Sequence, residues 1–266
     1  MVGPAPAKIN LALVVGSLRD DGKHELATVY QRVDLGDRVT VERAAETTVY
    51  GFADTIVSRA LDLLQSPHGW RVRLDKRVPV AAGLGGGSSD AATALRLANA
   101  QLAEPLDTDA LHAIAARVGS DVPFFLRDGP QLGTGDGTEL EPLDLPQDFA
   151  VLLLLPTGAA KVSTADAYAA FDERGGSDGY ADRRAALRES LASVRRPRDL
   201  ARLPPNDLAR SPHADALLAQ GAFRADVSGA GPAVYGLFHS TADAGRARRA
   251  LRGLGQTWVT VPAWYG

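Results

Sequence analysis

The chain of 266 residues contains no cysteine, few lysines and no long hydrophobic run. The absence of cysteine excludes disulfide bonds and thiolate metal sites. The longest apolar runs, such as AVLLLLP, are far shorter than a membrane-spanning helix. The N-terminal segment MVGPAPAKINLALVVG is not typical of a signal peptide, because it has no positively charged start before a long apolar core. The net charge of −3 provides no basic field for nucleic acid. We therefore expect a cytoplasmic protein without nucleic-acid or membrane partners; the sequence leaves its oligomeric state open.

Hydrophobic periodicity indicates a mixed α/β protein. Loosely alternating or apolar segments predict strands, and apolar residues at helical spacing predict helices. The predicted strands are 8–18, 38–43, 70–78, 149–156, 225–238 (interrupted by a glycine turn) and 257–264, and the predicted helices are 53–65, 89–102, 107–118 and 241–254. Residues 173–207 are polar and arginine-rich, which predicts short helices joined by loops. We expect two domains, 1–146 and 147–266.

Four glycines in five positions, Gly83 and 85–87, stand directly before the helix that begins at residue 89. A helix N-terminus carries unpaired N–H groups and the positive end of a dipole. Glycines before it let the backbone approach an anion closely, and Ser88 and Ser89 add hydroxyl groups there. The alternative is a tight loop with Ser89 or Asp90 as the helix cap. The density of glycine favours a phosphate site.

No lysine follows these glycines as a Walker loop requires, and the dinucleotide pattern Gly-x-Gly-x-x-Gly fits loosely. Instead, PVAAGLGGGSS resembles the phosphate loop of the GHMP kinases. Two other segments are similar to motifs of that family, in the same order: APAKINL near the N-terminus and the glycine turn VSGAGPAVYG. The resemblance covers nearly the whole chain. It implies a ribosomal-protein-like N-terminal domain that holds the nucleotide loop and a ferredoxin-like C-terminal domain that closes a cleft over it.

The segments RDDGKHEL, GSDVPFF and VSTADAY and the pair Asn206–Asp207 resemble a branch of the family that phosphorylates a cytidine-diphosphate-linked polyol. This resemblance implies ATP, arriving with Mg²⁺, as co-substrate. The sequence itself contains no metal-binding motif. The residues that we expect at the nucleotide are Thr55, Lys76, Pro79, Val80, Ala81, Ala82, Gly83, Leu84, Gly85, Gly86, Gly87, Ser88 and Ser89.

Lys8 and Asp121 are the predicted catalytic residues. The chain has only four lysines beside 25 arginines, so the lysine in the first motif is an unusual choice. An ammonium beside the transferred phosphoryl group stabilises its charge, and a carboxylate near the acceptor hydroxyl takes its proton. The alternatives are a solvated lysine at a strand end, and an aspartate that caps the segment beginning at Val122–Pro123.

On the acceptor side, the resemblance implies polar contacts from Asn10 and His24 and a closing segment with Thr164 and Tyr168. Tyr168 would stack on the cytosine, although a core aromatic on an amphipathic helix fits the pattern equally well. Gly229 of the late glycine turn completes the predicted acceptor residues.

The chain departs from the family pattern at two positions. Lys23 replaces the expected tyrosine of Gly-Tyr-His, and it would cover the base with its stem, reach a phosphate, or remain solvated. Thr55 replaces the asparagine at the start of the adenine-side helix. The single hydroxyl of threonine cannot make the bidentate hydrogen bonds of an asparagine amide.

Three other functions remain open from the sequence. They are a GHMP kinase for a mevalonate-, homoserine- or sugar-type alcohol, a non-catalytic nucleotide sensor, and an RNA-binding module. The net charge disfavours the RNA-binding module.

Overall fold

The computed structural model describes residues 1–53, 55–159 and 163–263, and its N-terminal half is built on one mixed sheet. The strands of this sheet are β1 (Val2–Leu18), β2 (His24–Ala44), β3 (Thr48–Tyr50), β4 (Gly69–Asp75), β5 (Gln131–Gly135) and β6 (Glu139–Pro142). They lie in the order β3-β4-β2-β5-β6, and β1 pairs with β2. The pairing of β1 with β2 runs from Val2 opposite Thr40 to Leu18 opposite His24, which places the first motif opposite residues 30–37 of β2.

A second sheet forms the C-terminal half, and all its pairings are antiparallel. Its strands are β7 (Ala150–Pro156), β8 (Arg224–Val227), β9 (Val234–Phe238) and β10 (Gly255–Thr260). Their spatial order is β10-β7-β9-β8, the fourth, first, third and second strands of this half. Helices separate the first strand from the second and the third from the fourth, which is the ferredoxin-like arrangement that the resemblance implied.

Seven α-helices lie in the described residues: α1 (Thr55–Leu63), α2 (Gly86–Asn99), α3 (Thr108–Val118), α4 (Thr164–Glu173), α5 (Tyr180–Ser193), α6 (Pro212–Ala219) and α7 (Thr241–Ala250). Two short 3-10 helices span Pro123–Leu126 and Pro197–Arg202. Helix α3 ends before Gly119, as predicted. Helix α5 is longer than the short helices expected for its segment.

Two hydrophobic cores include residues of β1, and the middle of this strand is buried. Ile9 and Leu11 pack in one cluster with Val151, Leu153 and the buried ring of Tyr235 from the second sheet. A separate cluster joins α1, α2 and the first sheet. The two halves therefore share a core along β1, and this strand carries its polar residues into the region between the sheets.

Candidate active site

The glycine-rich segment forms the entrance of α2, but the helix begins three residues earlier than predicted. Gly85 is the N-cap, with φ +67°, and makes no side-chain cap hydrogen bond. A cap by Ser89 or Asp90 is therefore wrong. The Ser89 hydroxyl lies instead inside the first turn, fully buried and without a hydrogen-bond partner. An unpaired buried hydroxyl at a helix N-terminus suits an oxygen ligand such as phosphate.

The loop lines a pocket of about 430 Å³. The predicted nucleotide residues that line it are Lys76, Pro79, Val80, Ala81, Ala82, Gly83, Leu84, Gly85, Gly86, Gly87 and Ser88, and Phe52, Ala53, Ile56 and Thr164 complete the lining. Ser89 is the predicted loop residue outside this lining. The exposed ring of Phe52 at the end of the pocket is a residue that the sequence did not indicate. The side chain of Thr55 and all of Asp54 lie outside the described residues.

Lys8 lies on β1 directly beneath the loop. Its backbone N–H donates to the carbonyl of Leu84 at 2.9 Å, which ties strand and loop together. Its Nζ donates to Asn10 Oδ1 at 2.6 Å and lies 3.3 Å from Asp121 Oδ2. Asn10 in turn donates from Nδ2 to Thr28 Oγ1 at 2.8 Å, which fixes the orientation of its amide. The ammonium is thus held in one place by two partners, and the Lys8 side chain is only 4% exposed.

Asp121 follows the end of α3 and remains one-third exposed to the cleft. It does not cap the 3-10 helix after it, since the N-cap there is Val122 without a side-chain bond. Burial raises the pKa of Tyr30 well above the ordinary tyrosine value, and the charge and hydrogen bond of Asp121 raise it further. Tyr30 therefore stays protonated and donates its hydroxyl proton in a hydrogen bond to the Asp121 carboxylate.

The late glycine turn, which joins β8 to β9, lies against the glycine-rich loop and close to Lys8. Ser228 Oγ donates to the carbonyl of Gly83 at 2.9 Å, and Asn206 Nδ2 donates to the carbonyl of Gly229 at 2.7 Å. A Cβ on Gly229 would stand 3.6 Å from the Nζ of Lys8. The turn therefore borders the Lys8–Asp121 pair.

The end of the cleft where we predict the acceptor is built by β2 and α4. His24 stacks on Tyr168 with ring centroids 4.6 Å apart, and its Nε2 lies 2.9 Å from Asp172 Oδ1. Burial raises the pKa of Tyr168, and so does the charge of Asp121. Thr164 begins α4 after the cap Ser163 and lines both the loop pocket and this end.

Lys23 forms an ion pair at the rim. Its Nζ lies 2.5 Å from Asp136 Oδ2 and 3.5 Å from Ser120 Oγ. In this structure the Lys23 ammonium is therefore paired with a carboxylate, so it is neither simply solvated nor free to bind a phosphate.

Lys76 is also held by carboxylates: its Nζ lies 2.5 Å from Asp37 Oδ2 and 2.5 Å from Asp90 Oδ2.

These elements enclose one cleft of about 960 Å³. The predicted residues that line it are Lys8, Asn10, Lys23, His24, Ala81, Gly83, Gly85, Ser88, Asp121, Thr164, Tyr168 and Gly229. Another concavity, of about 860 Å³ between α7 and β10, contains none of the predicted site residues. No group of three or more metal-ligating side chains occurs among the residues that the structure describes, and no helix there is long and apolar enough to cross a bilayer.

Comparison with known proteins agrees with this geometry. The family model "GHMP kinases N terminal domain" matches residues 48–129, and "GHMP kinases C terminal" matches residues 214–256. The chain belongs to the GHMP kinase family, and its fold is the two-domain α/β fold of that family. Its members transfer the phosphate of ATP to an alcohol.

Relatives that match nearly the whole chain are named as one specific enzyme within this family. A 4-diphosphocytidyl-2-C-methyl-D-erythritol kinase of Anaeromyxobacter sp. (strain Fw109-5) is 40% identical over 93% of this chain and 85% of its own. A crystal structure of 4-(cytidine 5'-diphospho)-2C-methyl-D-erythritol kinase covers all of both chains, at 34% identity and a TM-score of 0.77. A mevalonate kinase structure superposes with a TM-score of 0.73 at 12% identity, over 98% of this chain and 99% of its own, and shares the fold alone.

Proposed function

We propose that this chain phosphorylates the 2-hydroxyl of 4-diphosphocytidyl-2-C-methyl-D-erythritol with ATP, a step of the non-mevalonate route to isoprenoids. One observation carries the proposal. The Lys8–Asp121 pair lies between a glycine-rich helix entrance on one side and the His24–Tyr168 ring pair on the other. A phosphate donor and a nucleotide-linked alcohol are the two ligands that such a cleft suits. The names of the full-length relatives support the same acceptor.

In this proposal Asp121 takes the proton of the acceptor hydroxyl as the phosphoryl group arrives. Lys8, held by Asn10 and Asp121, places its ammonium beside the transferring phosphoryl oxygens, where it offsets their charge. Because these partners are already in position, the site needs little rearrangement at the moment of transfer. Mg²⁺ arrives with ATP, and the hydroxyl of Ser88 at the helix entrance suits the oxygen-rich surroundings that it prefers.

The α2 entrance binds the phosphates of ATP. Gly83 and Gly85 both adopt positive φ, at +80° and +67°, in the loop that leads into the unpaired N–H groups of the helix N-terminus. Lys76 lies in the same lining, where its ammonium bridges the buried carboxylates of Asp37 and Asp90. Phe52 offers an exposed ring for the adenine at the far end.

The cytosine is bound at the opposite end. Tyr168 and His24 present stacked rings, and Asp172 orients the imidazole of His24. Stacking of an aromatic on a nucleobase contributes about 1–3 kcal/mol. Asn10, Thr164, Lys23 and Gly229 border the space between the base and the reacting hydroxyl. We place the enzyme in the cytoplasm, with small molecules as its ligands, and the boundary between its two domains at residues 146–147.

A panel of acceptors with Mg²⁺ and ATP tests the proposal. The panel contains the cytidine-linked polyol, mevalonate, homoserine and a hexose, and ADP release is measured with each and with no acceptor. We expect turnover with the cytidine-linked polyol to exceed the others by orders of magnitude. Turnover with only one of the other alcohols would show that this alcohol is the acceptor. ATP binding without turnover of any alcohol would indicate a nucleotide sensor instead of a kinase.

A further inference from the structure

The rim of the acceptor cleft contains a second lysine–aspartate pair, whose carboxylate is the fixed member. Asp136 lies in the turn after β5, with its side chain 12% exposed. Its Oδ1 accepts from Thr138 Oγ1 at 2.6 Å and from the Thr138 N–H at 3.3 Å. Its Oδ2 accepts from Lys23 and, at 3.3 Å, from the hydroxyl of Ser120. Lys23 is 47% exposed and long, so the ammonium is the mobile member of the pair.

Each lysine that lines this cleft is paired with an aspartate. The lysines and aspartates among its described lining residues are Lys8, Lys23, Asp121, Asp136 and Asp172. Lys8 pairs with Asp121, and Lys23 pairs with Asp136. An anionic ligand that recruits the Lys23 ammonium must therefore compete with a carboxylate already in contact with it.

We propose that Asp136 is a specificity-determining residue that withholds the Lys23 ammonium from anionic ligands. Because Asp136 holds the ammonium, an acceptor gains little affinity from its phosphates. Most of its affinity comes from contacts of its nucleobase with His24 and Tyr168. The cleft then discriminates against nucleotides and phosphorylated metabolites that carry the same diphosphate without the correct base. This inference rests on the proposed function in that it takes the cleft as the acceptor site.

The same pair reaches the reacting centre. Ser120 contacts both Lys23 and Asp136, and it immediately precedes Asp121 in the chain. A ligand that pulled Lys23 away would therefore also remove one of the two contacts of the Ser120 hydroxyl, which lies next to Asp121 in the chain. Specificity of this kind is a difference between two affinities, and it is achieved here by disfavouring the wrong ligand.

Binding of inorganic pyrophosphate tests the proposal directly. Its dissociation constant is measured by calorimetry with a non-hydrolysable ATP analogue saturating the glycine-loop site, so that only the acceptor cleft is open. In the unchanged protein pyrophosphate should bind weakly. In Asp136→Asn it should bind roughly tenfold more tightly, because a freed ammonium makes a charge-assisted hydrogen bond. The gain should shrink as salt is raised.

The double variant Asp136→Asn with Lys23→Met identifies the source of the gain. The gain should disappear there, since the freed cation is gone. Glu141→Gln is the matched control: it breaks an exposed ion pair with Arg188 outside the cleft, and should leave pyrophosphate affinity unchanged. Asp136→Ser provides a second removal of the charge if the amide variant does not fold.

Unchanged or weaker pyrophosphate binding in Asp136→Asn would overturn the inference, and so would a gain that persists without Lys23. The titration needs no acceptor turnover, so it separates this inference from the proposed function. Suppose that Asp136→Asn binds pyrophosphate more tightly but the protein does not phosphorylate the cytidine-linked polyol. The proposed acceptor would then be wrong, and the proposed role of Asp136 would still be supported.

Discussion

Lys8 Nζ and Asp121 Oδ2 lie 3.3 Å apart at the centre of the cleft, although one residue is on the first strand and the other follows the third helix. The lysine is buried and the aspartate is partly open to solvent. The ammonium is therefore held in place while the carboxylate can meet a ligand. This asymmetry matches a fixed positive charge and an accessible proton acceptor, and it leads to the first prediction.

Asp121→Asn should lower kcat by about 10²–10⁴-fold, the range for a positioned general base. The amide keeps the shape of the side chain but cannot accept the proton, so the KM for ATP and the melting temperature should change little. Single-turnover rates beside thermal melts provide the measurement. Asp121→Ala should lose turnover to a similar extent. A fully active Asp121→Asn enzyme would remove the base from the mechanism.

Gly85→Ala should abolish turnover and weaken ATP binding. A Cβ at this position would stand 2.9 Å from Lys8 Cγ and 3.0 Å from Phe125 Cζ, so it would displace the lysine that we propose to be catalytic. Gly129→Ala is the control, because Gly129 has nearly the same φ, +68°, and nothing within 4 Å of its Cβ. Both variants should lose about 1–2 kcal/mol of stability from the left-handed backbone. Equal loss of activity in both would mean that strain alone, rather than contact with Lys8, is responsible.

Tyr168→Leu should raise the KM for the cytidine-linked acceptor by about 5- to 150-fold, the equivalent of a lost stacking interaction. The KM for ATP should remain close to that of the unchanged enzyme. Tyr168→Phe retains the ring and should retain most of the affinity. Steady-state kinetics with each substrate varied in turn provide the measurement. If Tyr168→Leu leaves the KM for the acceptor unchanged, the cytosine does not stack on Tyr168.

Lys76→Met should destabilise the protein by about 3–5 kcal/mol, because it leaves Asp37 and Asp90 buried without their cation. Burial by itself lowers the pKa of Lys76, but its hydrogen bonds to the two aspartates outweigh burial, and the pKa is raised above 10.5. A raised pKa means that this stabilisation is complete below the ordinary lysine pKa and is lost as the pH rises through the folded value.

Denaturant unfolding of both proteins from pH 7 to pH 11 measures this effect. The difference in unfolding free energy should be constant near neutrality and shrink at the alkaline end. A difference that is small at pH 7 would show that the two carboxylates are stabilised by other partners.

The sequence predicted the residues whose signal is local. The glycine loop, Lys8 in the first motif and Asp121 after Gly119 lie in short segments with recognisable chemistry, and the structure brings all of them to one cleft. The sequence did not predict the partners that fix them. Asp136 is 113 residues from Lys23, and Asp172 is 148 residues from His24, so only the folded sheet and α4 bring them together.

Helix α2 begins earlier than the sequence predicted, and the low helix propensity of glycine does not account for this. Glycine disfavours a helix by about 1 kcal/mol per residue, which is consistent with the predicted start at residue 89. The buried face of the helix, with Ala91, Ala94 and Leu95 in the core, outweighs that cost and extends the helix back to Gly86. Gly85 in the left-handed region then turns the chain into the loop.

The product of the reaction provides the most direct test of the central claim, that Lys8 and Asp121 direct ATP phosphate to the polyol of a cytidine-linked acceptor. Phosphorus NMR of the reaction with 4-diphosphocytidyl-2-C-methyl-D-erythritol and Mg-ATP should show ADP together with one new phosphomonoester, while the diphosphate of the acceptor stays intact. The same spectrum recorded with Asp121→Asn should lack the new resonance over the same time. ADP formed without a new phosphomonoester, or a phosphorylated product made equally fast by Asp121→Asn, would contradict the account.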